Sequence, residues 1–182
     1  MPEELIVEHC APTLAGIKTG NLFNCSYTCR KQLTKQIAEF NQRFMHCDIC
    51  MTILSYPKDR ALIYLYRPLW LKADLCKEGI IEILQEFGYP VDDIHACIAM
   101  LSERIQTQQT FPHEIGCFLG YPAEDVRGFM KNDKPCKLVG VWKVYGDEQT
   151  AKHLFQTYAK CTYAYMEHFE KGMSLEQLVR FV

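Results

Sequence analysis

The chain has 182 residues, 48% of them hydrophobic and 23% charged, with a formal net charge of −2. This composition excludes a disordered chain and suits one globular domain over residues 1–182. The mild acidity gives no electrostatic reason to expect nucleic acid or an anionic membrane as partner, and no apolar run approaches the ~20 residues that span a bilayer.

The first ten residues, MPEELIVEHC, read as neither a signal nor a transit peptide, so the chain is expected in the cytosol. Its ten cysteines are then read mainly as buried free thiols. Residues 1–25 give no clean periodicity. Leu5, Ile6 and Val7 run into His9-Cys10-Ala11-Pro12, Thr13 to Lys18 suits a short strand or a turn, and Thr19-Gly20-Asn21 is a turn signal. A phosphate-loop reading of Gly16-Ile17-Lys18-Thr19 fails, because the required Gly-Lys pair does not occur.

From about Thr28 to Phe44, Leu33, Ile37, Phe40 and Phe44 stripe one face of a helix. Met45 to Leu54 then alternates with period two, which predicts a strand with Cys47, Ile49, Met51 and Ile53 on one face. After Tyr56-Pro57-Lys58-Asp59, the run Ala61–Tyr66 reads as a strand covered on both faces, pairing with its predecessor as an antiparallel hairpin. Leu69 to Phe87 is helical with a break near Gly79, and Ile94, Cys97, Ile98, Leu101 and Ile105 form the clearest helical stripe.

Phe111 to Lys131 reads as helix, turn, helix. Pro112 suits a first helical position, Gly120 a left-handed cap, and Pro122 opens a helix with Glu124 and Asp125 in its first turn. Val126, Phe129 and Met130 give that helix an apolar face. Gly88-Tyr89-Pro90 repeats the same turn solution. Lys137 to Tyr145 is β-branched and aromatic enough for a third strand, with Lys143 in line with Val139, Val141 and Tyr145. Asp147 caps a long helix, and Ser174 a last short one over Leu175–Phe181. The expected fold is α+β: a small, mainly antiparallel sheet of three or more strands, Met45–Leu54, Ala61–Tyr66 and Leu138–Tyr145, covered by about six helices.

Cys47 and Cys50 stand in a Cys-x-x-Cys, but on a strand their sulfurs point to opposite faces, so no metal site is assigned. His113 and Cys117, at i and i+4, suit a nucleophile–base pair or, equally simply, a helix-start His and a core Cys. A helix-turn-helix reading of Ile115 to Phe129 meets the acidic Glu124 and Asp125, which would repel phosphate. Lys18, Arg67 and Lys143 are set among apolar neighbours, either snorkelling at an edge or lining an anion pocket.

HCAPTLAGIKTGNLF, ALIYLYRP, FPHEIG-FLGYPAEDVRGF and K-VG-WKVYGDE together resemble the DUF3793 family, a domain of unknown function in single-domain proteins of anaerobic bacteria. The resemblance covers nearly the whole chain and implies no established activity or cofactor. It implies that His9, Cys10, Lys18, Arg67, His113, Glu114, Trp142, Lys143 and Tyr145 belong to a shared pattern, with Cys47, Cys50 and Cys117 outside it.

The resulting expectation is a cleft near the sheet edge that gathers His9, Lys18, His113, Glu114, Lys143 and Tyr145 around a small anionic ligand or cofactor. His113 would be available for acid–base chemistry. The alternative is a non-enzymatic protein-interaction module in which the same residues specify the fold. Convergence of these side chains in one concave pocket, or their scatter, separates the two.

Overall fold

Alternation along β3 (Arg60–Tyr66) decides the architecture seen in a computed structural model, which describes residues 1–180. β3 is the middle of a three-stranded antiparallel sheet, between β1 (Gly20–Ser26) and β2 (Cys50–Ser55). Ile63 pairs with Phe23 on one side and Ile53 on the other. Ala61, Ile63 and Leu65 enter a core built with α1 (Glu3–Leu14), α2 (Arg30–Phe44), α8 (Glu148–Glu170) and α9 (Leu175–Arg180). Tyr64 and Tyr66 point the other way, into a core shared with α3 (Pro68–Leu75), α4 (Glu78–Glu86), α5 (Ile94–Thr107) and α6 (Ile115–Phe118). A strand covered on both faces needs apolar residues at every position, which is what ALIYLY supplies. The fold is α+β.

The predicted stripes of α2 and α5 are their buried faces: Leu33, Ile37, Phe40 and Phe44 in one, Cys97, Ile98 and Leu101 in the other. Asp147 caps α8 by accepting from the N–H groups of Gln149 and Thr150 at 2.9 and 3.1 Å. Ser174 and Gln177 form a reciprocal cap at the start of α9, and Phe181 lies outside the described residues. Gly88 and Gly120 both hold the left-handed conformation, at φ +78° and +73°. The helices that follow differ. α7 (Ala123–Lys131) begins directly after Pro122, whereas α5 waits until Ile94, with Asp93 as its cap.

Several expectations are corrected. Residues 1–14 are not irregular: α1 buries Ile6, Val7, Cys10, Ala11, Thr13 and Leu14, so burial all round its C-terminal half erases the one-sided stripe that marks a helix. The Thr19-Gly20-Asn21 turn signal is instead the start of β1, where glycine leaves room for the Tyr64 ring. Met45–Cys47 is a 3-10 turn, not strand. The chain breaks at Asp48, in the left-handed region at φ 56°, and β2 begins only at Cys50.

The stretch from Leu138 to Tyr145 is not a third strand of the main sheet. It folds back on itself as β4 (Leu138–Val139) and β5 (Lys143–Val144), a separate two-stranded hairpin. Gly140 at its tip lies so close to the Phe155 ring of α8 that a Cβ would collide with it. Among the described residues there are nine α-helices, more than about six, because α1 adds to the count and 68–86 divides into two at Cys76–Lys77, just before the break expected near Gly79; the helix expected to open at Pro112 begins only at Ile115, as the short α6.

Candidate functional site

Asp125, in the first turn of α7, is 3% exposed, yet its carboxylate is fully occupied. Oδ2 accepts the indole N–H of Trp142 at 2.7 Å, and Oδ1 accepts the backbone N–H groups of Tyr145 and Gly146 at 2.6 and 2.8 Å. Three donors to one buried anion satisfy it and fasten the β4–β5 hairpin onto α7. The Trp142 indole stacks on Tyr121 at 4.5 Å and meets the Phe155 ring edge-on at 4.6 Å. The hairpin is therefore held from α7 and α8 together.

A cleft of about 300 Å³ opens between α7 and one side of this hairpin. His113 packs against the Phe129 ring at 4.7 Å, and Lys143 Nζ lies 5.3 Å from the centre of the same ring. Phe111, Val139 and Trp142 stand in the remaining, largely apolar wall. Asp125 also lines the cleft, but its oxygens are spent on the hairpin, and among the described residues no carboxylate pairs with Lys143.

A second cleft, of about 490 Å³, lies on the other side of Val141, between α1 and α8. His9 and Lys18 contribute to its wall, beside Pro12, Phe155, Tyr158 and Tyr163. Lys18 is 4% exposed, its amine donating to the Gly20 carbonyl and lying 5.4 Å from the centre of the Tyr121 ring. Burial pushes this amine down to about 7. Burial also raises the Cys10 thiol far above the usual range, so it stays protonated at neutral pH.

Of the six expected ligand-binding residues, the structure thus brings His113 and Lys143 to one cleft and His9 and Lys18 to another. Glu114 reaches neither. It is 2% exposed, bonded to Arg104 Nε at 2.6 Å and to the Tyr89 hydroxyl at 3.0 Å, an arrangement that ties α5 to the start of α6. Tyr145 packs its ring against Gly128 of α7 and gives its backbone N–H to Asp125, away from both clefts. Arg67 has a structural place: its guanidinium donates to the carbonyls of Thr13 and Leu14 at 2.7 Å and of Cys47 at 3.2 Å, at the C-terminus of α1.

Cys117 is buried in the core, and burial, followed by the charge of Glu114, pushes its thiol up to about 12, the opposite of an activated nucleophile. Cys47 lies in the 3-10 turn and Cys50 at the start of β2, and among the described residues no cluster of three or more metal-ligating side chains occurs. No described helix is long and apolar enough to cross a membrane.

No sequence signal marks Asp125, Phe111 or Tyr121 as site residues. Asp125 has the sequence position of an ordinary first-turn acid. Phe129 is legible only as part of the apolar stripe Val126, Phe129 and Met130; it lines the cleft, whereas Val126 and Met130 pack on the core.

No curated protein and no solved structure matches the chain. A family model described as "Protein of unknown function (DUF3793)" matches residues 6–179. That span runs from within α1 to within α9 and takes in both clefts and the hairpin between them, and the chain belongs to the DUF3793 family.

Proposed function

We propose that this chain binds a small ligand combining a flat apolar body with an anionic group, in the cleft between α7 and the β4–β5 hairpin. The observation that supports this most is the meeting of His113 and Lys143 on the ring of Phe129, from separate segments of the chain. Phe111, Phe129 and Trp142 offer aromatic surface to the body of the ligand, and two polar side chains among them fix its orientation. Lys143 supplies the charge. With Asp125 consumed by the hairpin, His113 is the group in this wall available to exchange a proton with the ligand. Glu114 and Tyr145 act in this reading through the framework, not through contact.

Titration with benzoate and phenyl phosphate, against neutral benzyl alcohol, tests the reading. The anionic compounds should raise the melting temperature in a saturable way and shift the indole resonance of Trp142, and the neutral one should do neither. Equal responses to all three, or none, would remove the anionic part of the proposal.

A second reading, a protein-interaction module, draws on the mouth of the same cleft. Val139, Phe111 and Val141 are 67%, 49% and 46% exposed there, an apolar rim of the kind a partner covers. Native purification separates the two, through a small molecule identified by mass spectrometry or a co-purifying chain.

A further inference from the structure

We propose that Lys18 is a reactive amine that forms an imine with the carbonyl carbon of a small aldehyde or ketone carrying an apolar body, bound in the cleft between α1 and α8. This site lies across Val141 from the His113–Lys143 cleft and does not depend on that reading.

The first support is geometric. A snorkelling lysine keeps its ammonium in water, but Lys18 is 4% exposed and its amine is bonded to the carbonyl of Gly20, inside the fold. An ammonium has three N–H donors and a full charge. Here it meets one carbonyl and an aromatic ring, and among the described residues no carboxylate. Around it stand the titratable Cys10 and His9 of α1, Tyr121 before α7, and Tyr158 and Tyr163 of α8. The Cys10 thiol and the Tyr121 and Tyr158 hydroxyls are all pushed up, chiefly by burial, so they bring no negative charge near neutrality.

A buried amine without a counter-charge favours its neutral form, in keeping with its lowered titration near 7. Desolvation in an apolar site is one established way to make lysine a nucleophile at neutral pH. The rest of the cleft wall, with Phe155, Tyr158 and Tyr163, suits an apolar or aromatic substituent.

The chemistry balances without an oxidant or reductant. The lone pair of Nζ attacks the carbonyl carbon, the C=O π pair moves to oxygen, and one N–H proton passes to that oxygen to give a carbinolamine. Loss of the second N–H proton with the hydroxyl, as water, leaves the C=N bond. His9, in the same wall, is the group placed to carry these protons.

The test is reductive trapping of the whole protein at pH 7 with benzaldehyde and sodium cyanoborohydride, mapped by peptide mass spectrometry. Lys18 should be labelled at least about tenfold faster than the exposed Lys35, Lys77 and Lys171, because ordinary lysines near 10.4 are almost wholly protonated at that pH. Lys18→Met should remove the adduct and leave labelling of the exposed lysines unchanged. Should that variant fail to fold, the map on the wild-type chain decides alone. Adducts spread over exposed lysines with Lys18 unmodified would overturn the proposal. So would stabilisation by benzoate that Lys18→Met abolishes, without any trapping at Lys18, since that result makes the residue an anion contact.

Discussion

The indole nitrogen of Trp142 donates to the buried carboxylate of Asp125 at 2.7 Å, and through that bond the β4–β5 hairpin is fixed to the first turn of α7. Both clefts share Val141 at the hairpin tip, so the position of this one short element shapes the wall of each.

Asp125→Ala should therefore be costly. It leaves the Trp142 indole and the N–H groups of Tyr145 and Gly146 without their acceptor, and unpaired buried donors cost about 1–3 kcal/mol each where water cannot reach them. A loss on the order of 3 kcal/mol is expected in urea denaturation, and less for Asp125→Asn, which keeps one acceptor oxygen. A loss under about 0.5 kcal/mol, the range of ordinary surface changes, would mean that stacking alone holds the hairpin.

His113→Ala and Lys143→Ala should separate binding from stability. Neither side chain fills a core, and Lys143 is exposed on the hairpin, so both variants should stay within about 1 kcal/mol of the wild type. The rise in melting temperature caused by benzoate should vanish in each. If both variants unfold, their residues are structural and the ligand reading fails with them.

Arg67→Lys should destabilise the end of α1. The guanidinium spans three carbonyls from two segments, and a lysine ammonium lacks the planar fork that reaches them together. The expected cost is about 2 kcal/mol, in the range of hydrogen bonds to charged groups, with faster amide exchange in the last turn of α1. Unchanged exchange there would show that backbone bonds alone terminate the helix.

Lys18 should leave a mark on the pH dependence of stability. Its amine titrates near 7 in the folded chain and near 10.4 in the unfolded one, so between these values the unfolded chain holds more protons. Stability must then rise with pH, beginning near 7, by up to about 1.4 kcal/mol per unit. Above about 8.5 the unfolded thiols ionise while the buried Cys10 and Cys117 do not, which works in the opposite direction. Denaturant unfolding should show a maximum near that pH in the wild type, and Lys18→Met should lose the rise on its acid side. An identical rise in the variant would assign it to other groups.

The residues that pointed to elements in the sequence did so because one physical factor dominated each. Leu33, Ile37, Phe40 and Phe44 face a core from one side of a helix, and Asp147 faces only its own helix start. α1 lacks such a signal for the opposite reason. Its C-terminal half is enclosed by other elements, and a helix buried all round carries no contrast for periodicity to detect. The segment from Leu138 to Tyr145 has the composition of a strand, but composition cannot distinguish one long strand from two short ones joined at Gly140.

By itself the sequence determined the α+β class, the antiparallel pairing of β2 with β3, the stripes of α2 and α5, the left-handed turns at Gly88 and Gly120, and the family. These follow from local preference and from the burial of one face, both written in short windows of residues. Only the tertiary structure decided that His113 shares Phe129 with Lys143, that Glu114 belongs instead to Arg104 and Tyr89, and that Lys18 is enclosed beside Cys10. The first joins three segments through the packing of α7 against the hairpin, the second ties α5 to the start of α6, and the third depends on how the packed core brings residue 18 back beside α1. No spacing along a single element encodes that packing.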